Sequence, residues 1–447
     1  MFQKFNLTSI FVVALLTDCI LTMMHWSSYE VLEPPFALTM PLKFLICGCC
    51  IWSCFKEKLY TRGCYLSATL VLILMVTGAI RGIFSVEGYW GYKGWVSCVH
   101  SAMSFALLYP LGSLTITCKS LQSWNKYVFP IFILFGLWAL KKDAYPFQTP
   151  FIYYFYILLF ALVSSQPKAR LIILFGTICT LLALENRSGF IKTVIAIGLC
   201  GTLYLPRSIV RFSHMFIHFF FYILPVVLLV LGLTGTFNVF ESITEDEPTE
   251  ITWHSDSKME QLPNTNLTAD TRTFLYADVI MSAIDGDYVL FGHSIGRGNT
   301  HSGVWTQDVE GMDSSERLMN EAQMLNIFTW TGILGVILFS LMYLQASCLG
   351  LFYSKNRYVP IIACSVAFHW AMSWLEELTS FNPMDYALFL LLGICFSPKF
   401  RNMSDLEFRL WFSSCFSAPK DITPFDVFKR LKLQLLLLKF RKKNEET

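Results

Sequence analysis

The chain has 447 residues, 54% of them hydrophobic and only 15% charged, against about 25% charged in an ordinary soluble protein. That balance excludes a soluble globular domain and makes the chain an integral membrane protein. The formal net charge is +2, and no basic domain stands out to bind nucleic acid.

Aromatic residues make up 16% of the chain, with 40 Phe, which suits lipid-facing helices and interfacial belts. The 14 cysteines have no metal-ligand spacing. Most, such as Cys47, Cys49, Cys50, Cys179, Cys200 and Cys364, lie in or beside apolar runs and read as small buried hydrophobes. No metal, cofactor or disulfide framework is expected. No repeat of solenoid length and no flexible linker divides residues 1–447, which read as a single membrane domain.

The N-terminus carries Lys4 and then an apolar run with no A-x-A cleavage pattern. It reads as a retained first span rather than a signal peptide. A spanning helix needs about 20 mostly apolar residues. By that measure there are about twelve candidates, centred near residues 15, 46, 75, 108, 133, 157, 178, 197, 227, 337, 366 and 390. The runs at 127–141, 171–185 and 189–205 are short. Every second connection is rich in cations: Lys56, Lys58 and Arg62; Lys119 and Lys126; Lys168 and Arg170; Arg207 and Arg211; Lys355 and Arg357. The opposite connections hold fewer, among them Lys93, Lys141, Lys142 and Arg187. The positive-inside rule then predicts that both termini are cytoplasmic. It also places one long polar interruption, residues 241–324 between spans 9 and 10, outside the cytoplasm.

That loop opens on the acidic run ESITEDEPTE and contains no cysteine. The stretch TADTRTFLYADVIMSAI has helical spacing, with Phe274, Val279, Met281 and Ile284 between polar positions and Thr268 or Asp270 as N-cap. Residues 285–300 (DGDYVLFGHSIGRGNT) read as turn, strand and turn. Helix is expected again from Ser314 into the tenth span. The tail, residues 424–443, is apolar with clustered cations and reads as an amphipathic helix on the anionic cytoplasmic leaflet, with a solvated tail as the alternative.

Four arginines lie at or beyond the outer face by this topology: Arg187 at the membrane edge, and Arg272, Arg297 and Arg317 in the loop. Arg81, near the outer end of the third span, is placed to join them. Guanidinium groups suit bidentate phosphate contacts, and a lipid diphosphate sits at this depth. The opposing reading pairs each arginine with a carboxylate such as Glu185, Asp278 or Glu316. Glu321 follows Arg317 by four residues, one helical turn if the segment is helix. It reads either as a general base or as the partner of an ion pair with Arg317. Gly332 and Gly335, three apart in an apolar helix, allow close helix approach. Glu376 and Glu377 end the eleventh span on the same side, as candidates for sugar binding or base work against simple solvation. Asp18, Lys43, Lys192, His218 and His369 lie within spans, where ionisable groups point to function, but the sequence does not show their partners.

These pieces together resemble the bacterial O-antigen polymerase and O-antigen ligase superfamily. They are a short Arg-containing turn after a span (ENRSG), an Arg-led helix in a large outer loop (DTRTFLYADVI), a Gly-containing turn (LFGHSIGRGN) and a polar entry before G-x-x-G (NEAQMLNIFTWTGILG). The ligases carry a His-Asn-type pair about ten residues before that G-x-x-G. Here Glu321 takes the histidine's place, which favours the polymerase branch. The resemblance implies a metal-independent inner-membrane glycosyltransferase acting on undecaprenyl-diphosphate-linked oligosaccharides, with a chain-length regulator as a possible partner. Arg187, Arg272, Arg297, Arg317 and Arg81 would hold the diphosphate and Glu321 would act as base or orient Arg317. The rival readings are the ligase, with lipid A core as acceptor, and a polysaccharide or lipid transporter. The transporter needs paired, interrupted helices, and the sequence shows none.

Overall fold

The computed structural model describes residues 7–28, 35–128, 130, 187–233, 271–300, 316–378, 381 and 383–416. The apolar runs near 133, 157 and 178, the acidic opening of the loop and the tail at 424–443 lie outside these residues.

The described chain is helical almost throughout. Its main helices are α1 (Leu7–Ser28), α2 (Phe36–Lys56), α3 (Leu66–Ile83), α4 (Gly88–Ala102), α5 (Leu108–Leu111), α6 (Leu114–Ser123), α7 (Arg187–Gly201), α8 (Arg207–Leu233), α9 (Thr271–Asp285), α10 (Gln323–Phe352), α11 (Tyr358–Met372), α12 (Pro383–Phe396), α13 (Pro398–Arg401) and α14 (Asp405–Ser414). Among the described residues, four segments are long and apolar enough to cross a membrane: Phe36–Lys56, Gly63–Ile83, Ile209–Leu231 and Gln323–Phe352. A fifth is the pair Gly88–Leu111 and Leu114–Val128 if it is one span, bent by 110°. The runs near residues 15, 197, 366 and 390 form shorter apolar helices. The chain is therefore a helical membrane bundle. Its core sits where α10 packs on α3, α11 and α12, around buried Trp330, Phe339, Tyr343 and Phe105.

The element that organises the loop-bearing end of the bundle is α10. Gly332 inside it has φ 68° and ψ −166°, far from helical values, so α10 is two helices joined at that residue. The halves fold back on each other. In a straight helix Gln323 and Tyr343 would stand about 30 Å apart, yet the Tyr343 hydroxyl lies 3.5 Å from Gln323 Oε1. A Cβ on Gly335 would lie 3.3 Å from Ile327 Cγ2, a contact that a straight helix does not allow eight residues apart. The Gly332–Gly335 pair thus does permit close helix approach, but between the two halves of one element.

A break in a membrane helix frees backbone donors and acceptors that lipid cannot satisfy. The loop between α9 and α10 supplies the partners. Ile333 N–H donates to the Val289 carbonyl at 2.9 Å, Leu334 N–H to Leu290 at 3.4 Å, and His293 N–H to Thr329 at 2.7 Å. Gly292, with φ 70°, lies so close to Trp330 and Thr331 that no side chain fits.

The loop itself differs from expectation in three ways. The apolar run at 288–291 is turn rather than strand. The sheet consists of β1 (Asn299–Thr300) and β2 (Glu316–Arg317), antiparallel, with Asn299 opposite Arg317. Helix begins at Gln323 rather than near Ser314, so Arg317 and Glu321 do not share a helical turn. Helix α9 forms as its spacing predicts, but it buries Leu275, Val279 and Ala283 and leaves Met281 and Ile284 exposed. Leu275 and Val279 pack on Ala322 and Leu325 at the start of α10.

Substituting Gly332 by Ala would force a Cβ onto the Leu290 carbonyl in a backbone region that only glycine adopts readily, at a cost of about 1–3 kcal/mol. The expected result is a lower yield of monodisperse protein in detergent and a lower unfolding midpoint. Ala at Gly198, which has open space around it, is the control.

Candidate functional site

Polar side chains gather where the loop before α10 returns to the bundle. The N-cap of α10 is Ala322, which has no side chain to satisfy the helix's first donors. The main chain after α11 does so instead: Gln323 N–H donates to the Glu376 carbonyl at 2.9 Å and Met324 N–H to Ser373 at 3.1 Å. This tertiary cap brings residues 373–377 against residues 320–326.

Two further helices are tied to the same short segment. Lys192 of α7 forms an ion pair with Glu376, the two side chains being 3% and 15% exposed. Tyr276 of α9 donates its hydroxyl to the Trp374 carbonyl. Arg187 is the first residue of α7, five positions before Lys192, a rise of about 7.5 Å. Arg272 lies in the first turn of α9, one turn before Tyr276. Both arginine-led helix starts are therefore anchored to Trp374–Glu376.

Asn320 and Asn326 are buried there, at 3% and 0% exposure. The Asn320 N–H donates to Asn326 Oδ1, and Asn326 Nδ2 donates to the Asn320 carbonyl at 3.0 Å. The same Nδ2 donates to Glu377 Oε2. Beside this network Arg317 and Glu321 approach to 3.7 Å, at 22% and 64% exposure. Arg317 Nε also donates to the Met319 carbonyl at 3.2 Å. The pair survives the loss of the expected helix because the bend at 318–322 turns Glu321 back toward Arg317.

Arg297 and Arg81 are placed differently. Arg297 makes a bidentate pair with Glu316, one of the carboxylates named as an alternative partner. Its Nε lies 3.0 and 2.9 Å from the two oxygens, and Nη1 donates to the Ser85 carbonyl at 3.2 Å. Gly298 N–H donates to Glu316 Oε2 at 2.9 Å. Burial pushes the Glu316 carboxyl upward, but the hydrogen bonds from Arg297 and Gly298 and the charges of Arg297 and His293 outweigh it, leaving it below its ordinary value. Arg81 donates to the Phe291 and Gly292 carbonyls at 2.9 and 3.0 Å. Arg297 thus latches the two-stranded turn, and Arg81 holds the plug that seals the Gly332 break.

Other membrane-buried ionisable groups also find partners here. Tyr386 donates to Asp18, and His218 contacts the Ser347 hydroxyl at 2.9 Å. Glu376 and Glu377 are bound rather than merely solvated. The sequence reading missed Asn320 and Asn326. A short polar pair flanking the start of a long apolar run was the available signal, but long-range partners are needed to interpret it. Comparison with family models, curated proteins and solved structures gives no match.

Removing one partner of a buried ion pair leaves an uncompensated charge, at about 3–5 kcal/mol. Lys192→Met is expected to lower the thermal midpoint strongly, and Lys192→Glu combined with Glu376→Lys to recover part of the loss. If the double swap is no better than the two single changes summed, the ion pair is not what matters at these positions. The Glu316 latch has a defined pH sign. Its carboxyl is held below the unfolded value, so it stabilises above that value and loosens as pH falls through the folded one. Protection from hydrogen exchange over residues 293–300, taken relative to the free-chain rate at each pH, should hold at neutral pH and be lost as pH falls through the folded-state value of Glu316, and Glu316→Gln should abolish that acid step.

Proposed function

We propose that the chain is a membrane glycosyltransferase that polymerises lipid-diphosphate-linked repeat units of O-antigen or a related surface polysaccharide. The observation that carries this reading is the common anchoring of the Arg187 and Arg272 helix starts on Trp374–Glu376. Beside that anchor lie the Arg317–Glu321 pair and the Asn320–Asn326–Glu377 network. Two arginine-led helix starts tied to one segment, with a third guanidinium in the chain that enters α10, suit a diphosphate leaving group, and neighbouring carboxylates suit activation of a sugar hydroxyl.

In this reading the bundle has about twelve spans, both termini are cytoplasmic and loop 241–324 lies on the periplasmic side of a bacterial inner membrane. The acceptor hydroxyl attacks the anomeric carbon of the donor. The bond to the diphosphate oxygen breaks with inversion, and the lipid diphosphate leaves with the electron pair. Arg187, Arg272 and Arg317 stabilise its developing charge. Arg297 and Arg81 contribute by holding the loop that closes over the site. Glu321, mostly exposed and 3.7 Å from Arg317, serves to orient that arginine.

The ligase remains the nearest rival, because it uses the same donor with a different acceptor. The transporter gains one point of support, the broken helix at Gly332. In a transporter the freed half-helix end faces substrate. Here the donors of Ile333 and Leu334 are taken by the Val289 and Leu290 carbonyls, so these two do not face a substrate.

A chromosomal deletion separates the readings. Loss of a polymerase leaves lipopolysaccharide with single repeats, loss of a ligase leaves bare core, and loss of a transporter leaves no repeat at the outer face. Complementation with Arg187→Ala or Arg272→Ala, at normal protein levels, should restore at most short chains. Full-length polysaccharide from both variants would remove the arginine assignment.

A further inference from the structure

A separate feature lies at the end of the bundle away from the loop. Arg81, in the last turn of α3, reaches Phe291 and Gly292 of the loop. Leu66, where α3 begins, is about 22 Å back along the helix, a short connection from the end of α2. There α1 packs on both α2 and α6, and a cavity of about 130 Å³ lies between the three. Its wall mixes hydroxyls with one charge of each sign. Thr8 of α1, Ser53 and Lys56 of α2, Glu57 just beyond, and Ser113 and Thr115 at the start of α6 all line it.

Size and position narrow the ligand. Pockets for drug-sized molecules run to about 300–1,000 Å³, so an oligosaccharide repeat does not fit. A cavity of about 150 Å³ holds a six-atom ring, so this one takes a group the size of a phosphate. Lys56 is the last residue of a segment long and apolar enough to cross a membrane. The cavity therefore sits where hydrocarbon gives way to headgroups. Trp52 and Tyr60, on either side of Lys56, are 58% and 42% exposed, and these two residue types are enriched at that level.

The charges narrow it further. Successive residues on a helix do not face each other, so Lys56 and Glu57 present separate charges to the rim. The turn that carries Glu57 is held in place. Arg62 Nη2 donates to the Glu57 carbonyl at 3.2 Å, and the Thr61 hydroxyl to the Lys58 carbonyl at 2.8 Å. A simple anion would meet the Glu57 carboxylate, and a simple cation the Lys56 ammonium. A zwitterion carrying a phosphate and a primary ammonium satisfies both.

We propose that this cavity binds the headgroup of a phosphoethanolamine lipid. The phosphate lies on Lys56 and the hydroxyls of Ser53 and Ser113, which donate to its oxygens. The ammonium donates to Glu57. A lipid held there ties α1, α2 and α6 together, whatever reaction the loop-bearing end performs.

The test uses the purified full-length protein, stripped of lipid in detergent. The probes are phosphatidylethanolamine, phosphatidylglycerol and phosphatidylcholine of equal chain length, and soluble O-phosphoethanolamine. Native mass spectrometry reads the apparent Kd of the first bound molecule. Phosphatidylethanolamine should bind ahead of the other two, because phosphatidylglycerol lacks the ammonium and choline has no N–H to donate. Lys56→Ala should weaken all three lipids by up to about fivefold, the range of an exposed ion pair. Glu57→Gln should erase the preference for phosphatidylethanolamine while leaving phosphatidylglycerol no weaker, whereas a merely structural role would shift both alike. Ser53→Trp, which fills the cavity, should remove the first site. Lys56 and Glu57 are exposed and Ser53 is half-buried, so the variants are expected to fold, which gel filtration checks. Equal wild-type affinity for phosphatidylethanolamine and phosphatidylglycerol, or a preference that survives Glu57→Gln, overturns the zwitterion assignment. A first site that survives in folded Ser53→Trp overturns the cavity. Soluble O-phosphoethanolamine bound as tightly as the lipid overturns the lipid as the source.

Discussion

A membrane helix cannot leave its backbone unpaired, because lipid offers neither donors nor acceptors. In this protein that constraint meets a helix broken at Gly332. Three residues of the loop before α10 resolve the conflict by lending their backbone groups to the break. Val289 and Leu290 accept from the donors that the break exposes, and His293 donates to Thr329. The left-handed Gly292 lets the two backbones touch. Much of this end of the bundle follows from it. The plug fixes the turn at 288–300, the turn carries the Arg297–Glu316 latch, and the latch sits next to the two-stranded pairing that leads the chain toward Glu321.

The fold-back of α10 has a second effect. It turns the polar start of the helix against the core, so Asn320, Gln323 and Asn326 are buried instead of projecting outward. Buried amides demand partners, and residues 373–377 meet part of that demand. The same segment binds α7 through Lys192 and α9 through Tyr276. One short stretch after α11 is therefore the mechanical centre of the candidate site. Substitutions in it should be felt by α7, α9 and α10 together, which makes single-residue effects there strongly non-additive.

Part of this was legible from the chain alone. The apolar runs identified the helices of the bundle, and the spacing of DTRTFLYADVI marked α9 and put Arg272 near its start. The Gly332–Gly335 spacing correctly signalled close helix approach but not the partner, because a local pattern does not distinguish a neighbouring helix from the folded-back half of the same one. The helix expected from Ser314 fails for a related reason. Residues 316–317 pair with Asn299–Thr300, and that non-local pairing overrides their local preference.

By itself the sequence determined the solvent this protein lives in, because lipid selects long apolar runs. It also determined which side chains carry charge near the outer loop. Only the tertiary structure decided what each charge does. Arg81 and Arg297 are engaged in holding the loop, Lys192 neutralises Glu376, and Asn326 holds Glu377. Residues 192, 326 and 376–377 are brought together by chain return, and the energy of burying a polar group depends on the partner it meets there.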